Sequence, residues 1–291
     1  IGFERGVGSP SVFVHKKFDI WTLVHGDDYF SAGGSNELKW LEAQLSEKYE
    51  IKTSRVGLSE GCQPEGQILN RVVRATDRGF EIEADARHAE LIVEQLGLQH
   101  GKGVTTPGVD SNEETEPEGD ELLSAADATA FQGMAARCNY LAADRPDIQF
   151  SVKELCREMS KPSVRFMARL KRVGRYLKHR PRLIWRYDFQ APTEIIEVNT
   201  DANWCGCKLS RKSTSGGAIS RGCHLIKTWS KTQAILAKSS AESELYGVVK
   251  GACEGLGVMT LMRDLGVEDP RVRMHVDASA EGSQQTSACG A

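Results

Sequence analysis

Three acidic residues end or open elements in a way that could do phosphoryl chemistry. The run Ile195-Ile196-Glu197-Val198-Asn199-Thr200 reads as a buried strand that delivers Asp201 near its end. The run Val272-Arg273-Met274-His275-Val276 likewise leads into Asp277. Between them Ser239 followed by Glu242 has the spacing of a capping box, and the helix it opens also carries Glu244. Carboxylates from two strands and one helix, brought together, would offer hard oxygen ligands to Mg²⁺ or Mn²⁺. Two such ions about 4 Å apart would clamp both oxygens of an in-line attack at phosphorus. Glu242 and Glu244 cannot both serve, because two positions on a helix are roughly 200° apart. A second acidic candidate is the Gly26-Asp27-Asp28 turn between apolar runs, which reads as a hairpin tip. There one Asp could face a metal cleft while the other sits at its rim, or the three residues could be turn chemistry alone.

The elements that must position these groups follow from periodicity. Strands are expected over residues 11–14, 20–24 and 29–32, then 51–56, 68–74 and 79–82. A helix over 36–49, capped by Asn36, has Leu38, Leu41 and Leu45 on one face. Asp85 caps a second helix lined by Ala89, Ile92, Val93 and Leu96, with Gly97 as its stop. Helices are expected at 125–141, 147–159 and 164–178. Strands at 194–201, 215–220 and 224–229, a helix from Ser239 to about Leu265 and a strand at 272–277 complete the chain.

Length and composition set the bounds. The 291 residues, 40% hydrophobic and 26% charged, have room for roughly two soluble domains. The net charge of -3 conceals an uneven distribution. Residues 110–121 hold seven acids and no base, whereas residues 165–186 hold nine Lys or Arg and no acid. The eight cysteines lack zinc spacing and read as reduced thiols of an intracellular protein. No apolar run of about 18 residues is present, so no membrane span is indicated. The first residue is not Met and the pattern starts mid-element, which reads as a fragment.

The third of the central helices carries the basic surface. Phe166, Leu170, Val173 and Leu177 form its apolar stripe. Arg165, Arg169 and Arg172 run beside it, with Lys171, Arg175 and Lys178 adding to the charge. These six suit a nucleic-acid backbone, because phosphates attract Lys and Arg whatever the base sequence. A solvated helix face would look the same.

Taken in order, several segments resemble the Pol polyprotein of copia-type LTR retrotransposons. They are Val24-His25-Gly26-Asp27-Asp28, Asn139-Tyr140-Leu141 with Arg145-Pro146-Asp147-Ile148, and Arg175-Tyr176-Leu177-Lys178. Asp201-Ala202-Asn203-Trp204-Cys205-Gly206, Arg211-Lys212-Ser213-Thr214-Ser215-Gly216 and Ser239-Ser240-Ala241-Glu242-Ser243-Glu244 continue the series. Each is weak alone, but the ordered set is specific and spans nearly the whole chain.

The resemblance implies an α+β or α/β architecture: a partial reverse-transcriptase palm and connection, then a ribonuclease H-like mixed sheet flanked by helices. It divides the chain into palm and thumb (1–100), an acidic linker (101–121), a helical connection with the basic helix (122–190), the ribonuclease H-like unit (191–280) and a mobile tail (281–291). It implies RNA-directed DNA synthesis and cleavage of RNA in RNA–DNA hybrids, with hybrid, RNA template and DNA as partners. The setting would be cytoplasmic, or nuclear. Asp27 and Asp28 match the palm pair; Asp201 and Asp277 match two nuclease ligands. Glu244-Leu245-Tyr246-Gly247 fits the family's Glu-x-x-small pattern, which favours Glu244 as the third. The palm's first Asp and the nuclease's fourth carboxylate have no counterpart between Ile1 and Ala291, and Asn203 stands where the family has Asp. The expectation is therefore a fragment without polymerase activity and with weak or absent nuclease activity. The alternative is a non-catalytic nucleic-acid-binding pseudoenzyme on a ribonuclease H-like fold.

Overall fold

The computed structural model describes residues 1–109, 120–208 and 210–276. Three four-stranded sheets and a helical layer make up the described chain.

The first sheet is antiparallel, in the order β1 (Glu4–Arg5), β2 (Val12–His15), β3 (Ile20–His25), β4 (Asp28–Ala32). His25 pairs with Asp28 across a two-residue turn whose Gly26 takes φ +63°, a conformation glycine adopts without strain. Helix α1 (Ser35–Ser46) lays Trp40 against His15 and Phe18, with ring centroids 5.2 and 4.3 Å apart. Its N-cap is Gly34, without a side-chain cap, rather than the expected Asn36. The strand expected at 51–56 is absent apart from a single bridge, Val56 to Gln63. Thr53 and Arg55 instead donate to the Glu42 carboxylate on α1, so side chains rather than a ladder hold this segment.

The second sheet runs β5 (Glu65–Ile68), β6 (Arg71–Thr76), β7 (Gly79–Ala84), β8 (Ile184–Asp188). The single strand expected at 68–74 is a hairpin, turning at Leu69 and Asn70 with φ of +48° and +62°. Strand β8 was not foreseen, and it joins this sheet from about 100 residues downstream by pairing antiparallel with β7.

Helices α2 (Ala86–Gln95), α3 (Ala125–Ala142), α4 (Pro146–Arg157) and α5 (Val164–His179) share one core. Asp85 caps α2, as its position before the apolar stripe suggests. All four residues of the apolar stripe on α5 are buried there.

The third sheet has the order β11 (His224–Thr232), β10 (Thr214–Arg221), β9 (Ile195–Asn203), β12 (Arg271–Val276). Strands β9 and β12 are parallel, which requires a crossover, and α6 (Ser240–Asp264) supplies it. The architecture is thus α+β, with a mixed sheet flanked by α6 on one face and α4 on the other. Close packing of α6 depends on Gly251 and Gly255, one turn apart. A Cβ at Gly251 would stand 2.3 Å from Thr200 Cγ2, and one at Gly255 would stand 2.9 Å from Val272 Cγ1.

The first sheet docks on the far end of this helix. The Asp264 carboxylate accepts the N–H groups of Val7 (2.9 Å), Ser9 (2.6 Å) and Gly8 (3.4 Å). Trp21 Nε1 donates to the Leu265 carbonyl at 2.9 Å. Among the described residues no helix is long and apolar enough to cross a membrane.

Candidate nucleic-acid site

Side chains alternate along β9, and this decides where Asp201 points. The α6 glycines lie against Thr200 and Ala202, so those residues face the helix. Asp201 and Asn203 therefore face the other side of the sheet, the side on which α4 packs. Lys153 of α4 confirms that side by donating to Thr214 Oγ1 at 2.8 Å, since Thr214 pairs with Asn203. Asp201 is exposed there, opposite Gly216 of β10.

Glu244 is half-buried on α6, one turn before Gly247, whose position abuts the Asp201 carbonyl. The helix thus crosses the C-terminal end of β9. Glu242 has other work. Ser239 Oγ accepts the Glu242 N–H at 3.1 Å, while the Glu242 carboxylate accepts the Lys238 N–H at 2.7 Å and the Tyr246 hydroxyl at 3.1 Å. The Lys238 N–H, then the Tyr246 hydroxyl, hold this carboxyl below its ordinary range. Of the two glutamates, Glu242 is committed to the cap.

Val276, the last residue of β12, pairs with Thr200, the neighbour of Asp201. Asp277 follows it and lies outside the described residues. Among the described residues no three His, Cys, Asp or Glu side chains group as a cation site. Asp201, Glu244, Asp27 and Asp28 by themselves therefore do not fit a divalent cation. Asp27 and Asp28 are both exposed at the tip of the β3–β4 hairpin.

The basic residues of α5 are largely engaged within the chain. Arg165 pairs with Asp120 at 3.1 Å. Arg172 donates to the Gly108 carbonyl at 3.1 Å and to Thr106 Oγ1 at 2.8 Å. Lys178 donates to the carbonyls of Gln99 and Gly101. Arg169 stacks over Phe166 at 4.7 Å, Arg175 is half-buried, and Lys171 is exposed. Much of the stripe thus holds residues 99–108 and Asp120 against the helix. Residues 110–119 of the expected acidic linker, and the expected tail at 281–291, lie outside the described residues.

Two motif pairs are joined in ways the sequence did not disclose. Arg145 is 1% exposed. Its guanidinium meets Asp147 at 2.7 and 2.9 Å and caps the end of α5 through the carbonyls of Arg180 (2.8 Å) and Pro181 (3.1 Å). Tyr176 donates its hydroxyl to the same Asp147 carboxylate at 2.9 Å. Gln233, also buried, donates to Ser215 Oγ (2.9 Å) and to the Ser243 carbonyl (2.8 Å), tying β10 to α6. Between α4, α5 and the end of β9 lies a cleft of about 250 Å³, lined among others by Arg169, Arg172, Asn203 and Cys207.

No protein-family model matches the chain. Its homologues are copia-type retrovirus-related Pol polyproteins of plant transposons. That of transposon RE1 of Arabidopsis thaliana is 27% identical over 92% of this chain, and that of transposon RE2 is 28% identical over 92%. The chain spans 18% of the length of each. An uncharacterized mitochondrial protein of the same plant is 26% identical over 81% of this chain and 92% of its own length. A foamy viral protease-reverse transcriptase solved with double-stranded DNA aligns over 82% of this chain and 37% of its own. The TM-score is 0.49 at 15% identity.

Proposed function

We propose that this chain, a homologue of transposon Pol polyproteins, is the segment running from the end of the reverse transcriptase through most of its ribonuclease H unit. Its own task in this reading is to hold an RNA–DNA hybrid, an RNA template or DNA for the parent enzyme. The observation that carries the reading is the mixed sheet. Its interior strand β9 presents exposed Asp201 toward its end, beside its parallel partner β12 and on the face away from α6, while α6 carries Glu244 across the same end of the strand.

In this reading Asp201, Glu244 and Asp277 are the nuclease carboxylates, and Mg²⁺ or Mn²⁺ is the cofactor that would supply Lewis acidity at the phosphate. The described carboxylates do not assemble such a site by themselves. Asp27 and Asp28 are the palm pair of the parent polymerase. They are exposed on a hairpin tip with no third carboxylate grouped with them among the described residues, and in this reading primer extension by this chain alone is not expected.

The scatter of described acids favours a second reading, a binding platform without chemistry. One experiment separates the two. A labelled RNA–DNA hybrid is titrated with the chain by fluorescence anisotropy, then incubated with Mg²⁺ or Mn²⁺. Cleavage abolished by Asp201→Asn supports the nuclease. Binding without cleavage supports the platform. Absence of both overturns the proposal.

A further inference from the structure

The cleft of about 250 Å³ between α4, α5 and the end of β9 has an apolar floor and a mouth that is both aromatic and polar. Leu155 and Val173, each 1% exposed, line the floor. Phe150 of α4, 51% exposed, and Asn203 of β9, also exposed, stand at the mouth. Arg172 brings a guanidinium from α5. That group carries five N–H donors, of which the bonds to Gly108 and Thr106 occupy two. Glu154, an acid in the wall, is paired with both Lys153 and Arg157, so it does not cancel the charge of Arg172.

We propose that this cleft binds an adenine nucleotide, either free or as an unpaired residue of a strand. An exposed aromatic ring beside an apolar floor offers a face on which a base stacks. The Asn203 amide presents a donor and an acceptor side by side, the pair that adenine N7 and the adenine amino group complement. The Arg172 guanidinium suits the phosphate. At about 250 Å³ the volume lies just below the roughly 300–1,000 Å³ of pockets that enclose drug-sized ligands, which suits one nucleotide and excludes a duplex.

The orientation follows from the charges. Asp201 lies two residues before Asn203 on the same face of β9, about 7 Å along the strand. Its exposed carboxylate repels a phosphate, so the phosphate lies toward α5 and the base toward β9 and Phe150. The neutral amide at 203 is what tolerates this ligand. A carboxylate there would offer acceptors alone and would repel both the phosphate and adenine N7. Thr214, which pairs with Asn203, also lines the cleft and accepts from the Lys153 ammonium at 2.8 Å, fixing α4 and its Phe150 beside the strand end.

The test is isothermal titration calorimetry of the whole chain, without metal or hybrid, against AMP, UMP and adenosine. AMP is expected to bind at least about fivefold tighter than UMP, the lower bound for a bidentate amide–adenine pair. It is also expected to bind tighter than adenosine, which lacks the phosphate. Phe150→Ala and Asn203→Asp are each expected to weaken AMP about fivefold or more, through loss of the stack and of the donor to N7. Arg172 holds residues 106–108, so the substitutions are made at these two exposed residues instead. They sit on different elements, and if circular dichroism shows one variant misfolded, the other decides. A short oligo(dA) that displaces AMP identifies a strand as the source of the nucleotide; one that leaves AMP bound identifies the free nucleotide. Absence of AMP binding at millimolar concentration, equal affinity for UMP, or AMP binding unmoved by the substitutions overturns the proposal. Hybrid binding and cleavage play no part in this readout, so its failure is distinguishable from failure of the function proposed above.

Discussion

Arg145 and Asp147, two residues apart at the start of α4, form a bidentate ion pair whose guanidinium is almost wholly buried and also caps α5. Tyr176 of α5 closes the network on the same carboxylate. The Arg-Pro-Asp-Ile and Arg-Tyr-Leu-Lys segments are thus two halves of one structural joint. Removing one partner leaves a buried charge uncompensated. Asp147→Ala is expected to cost about 3–5 kcal/mol. Urea unfolding followed by circular dichroism measures it; a loss below about 1 kcal/mol, the scale of an exposed pair, would contradict the joint.

Gly251 lets α6 sit close on β9. Gly251→Ala would drive a methyl into Thr200 Cγ2. Overpacking of this kind costs about 1–3 kcal/mol, whereas alanine at an exposed helical site stabilises by up to about 1 kcal/mol. Gly257, with open space around it, is the control position. Thermal unfolding of the two variants should move in opposite directions.

Gln233 is buried between Ser215 and Ser243. Gln233→Leu keeps the volume but strands the acceptors it satisfies. A loss of about 1–3 kcal/mol is expected. Chemical denaturation reads it, and an unchanged midpoint would show that the amide is dispensable.

The Asp264 carboxylate clasps the Val7, Gly8 and Ser9 amides. Partial desolvation raises its pKa, but the Val7, Ser9 and Gly8 N–H donors outweigh that and hold it below the ordinary value of 3.8. With the folded value depressed, the stabilisation is complete above the ordinary carboxylate range and is lost as pH falls through the folded value. The amide resonances of Val7 and Ser9 are expected to titrate together with a midpoint below 3.8. Asp264→Asn should abolish that titration.

Lys171 and Arg172 are neighbours with different duties. Arg172 holds residues 106–108, while Lys171 is exposed. Lys171→Ala is expected to leave stability within about 0.5 kcal/mol and to weaken hybrid binding with a shallower salt dependence. Arg172→Ala is expected to destabilise the fold. Anisotropy at several salt concentrations, alongside unfolding, distinguishes them.

The long helices, the Asp85 and Ser239 caps and the Gly26 hairpin were legible because local chemistry alone dictates them. The 65–76 hairpin was not, because its turn puts Leu69 in a left-handed conformation that a branched aliphatic rarely adopts. Strand β8 was missed because five residues between Pro181 and Phe189 carry too little periodicity, and their partner is remote in sequence. The charge of α5 was readable, but its use was not. Its partners include the backbone carbonyls of Gln99, Gly101 and Gly108, a group that every residue possesses. The candidate acids were legible as strand-end and helix residues, yet alternation along β9 fixed only which face Asp201 shares, and that required knowing where α6 lies.

Because β8 is donated to the second sheet from so far along the chain, a protein ending before Ile184 would leave β7 with a raw, unpaired edge. Such an edge recruits strands from other molecules. The reading frame must therefore be translated well past the helical layer before its first hundred residues stop being sticky, and shortened products are expected to aggregate rather than fold.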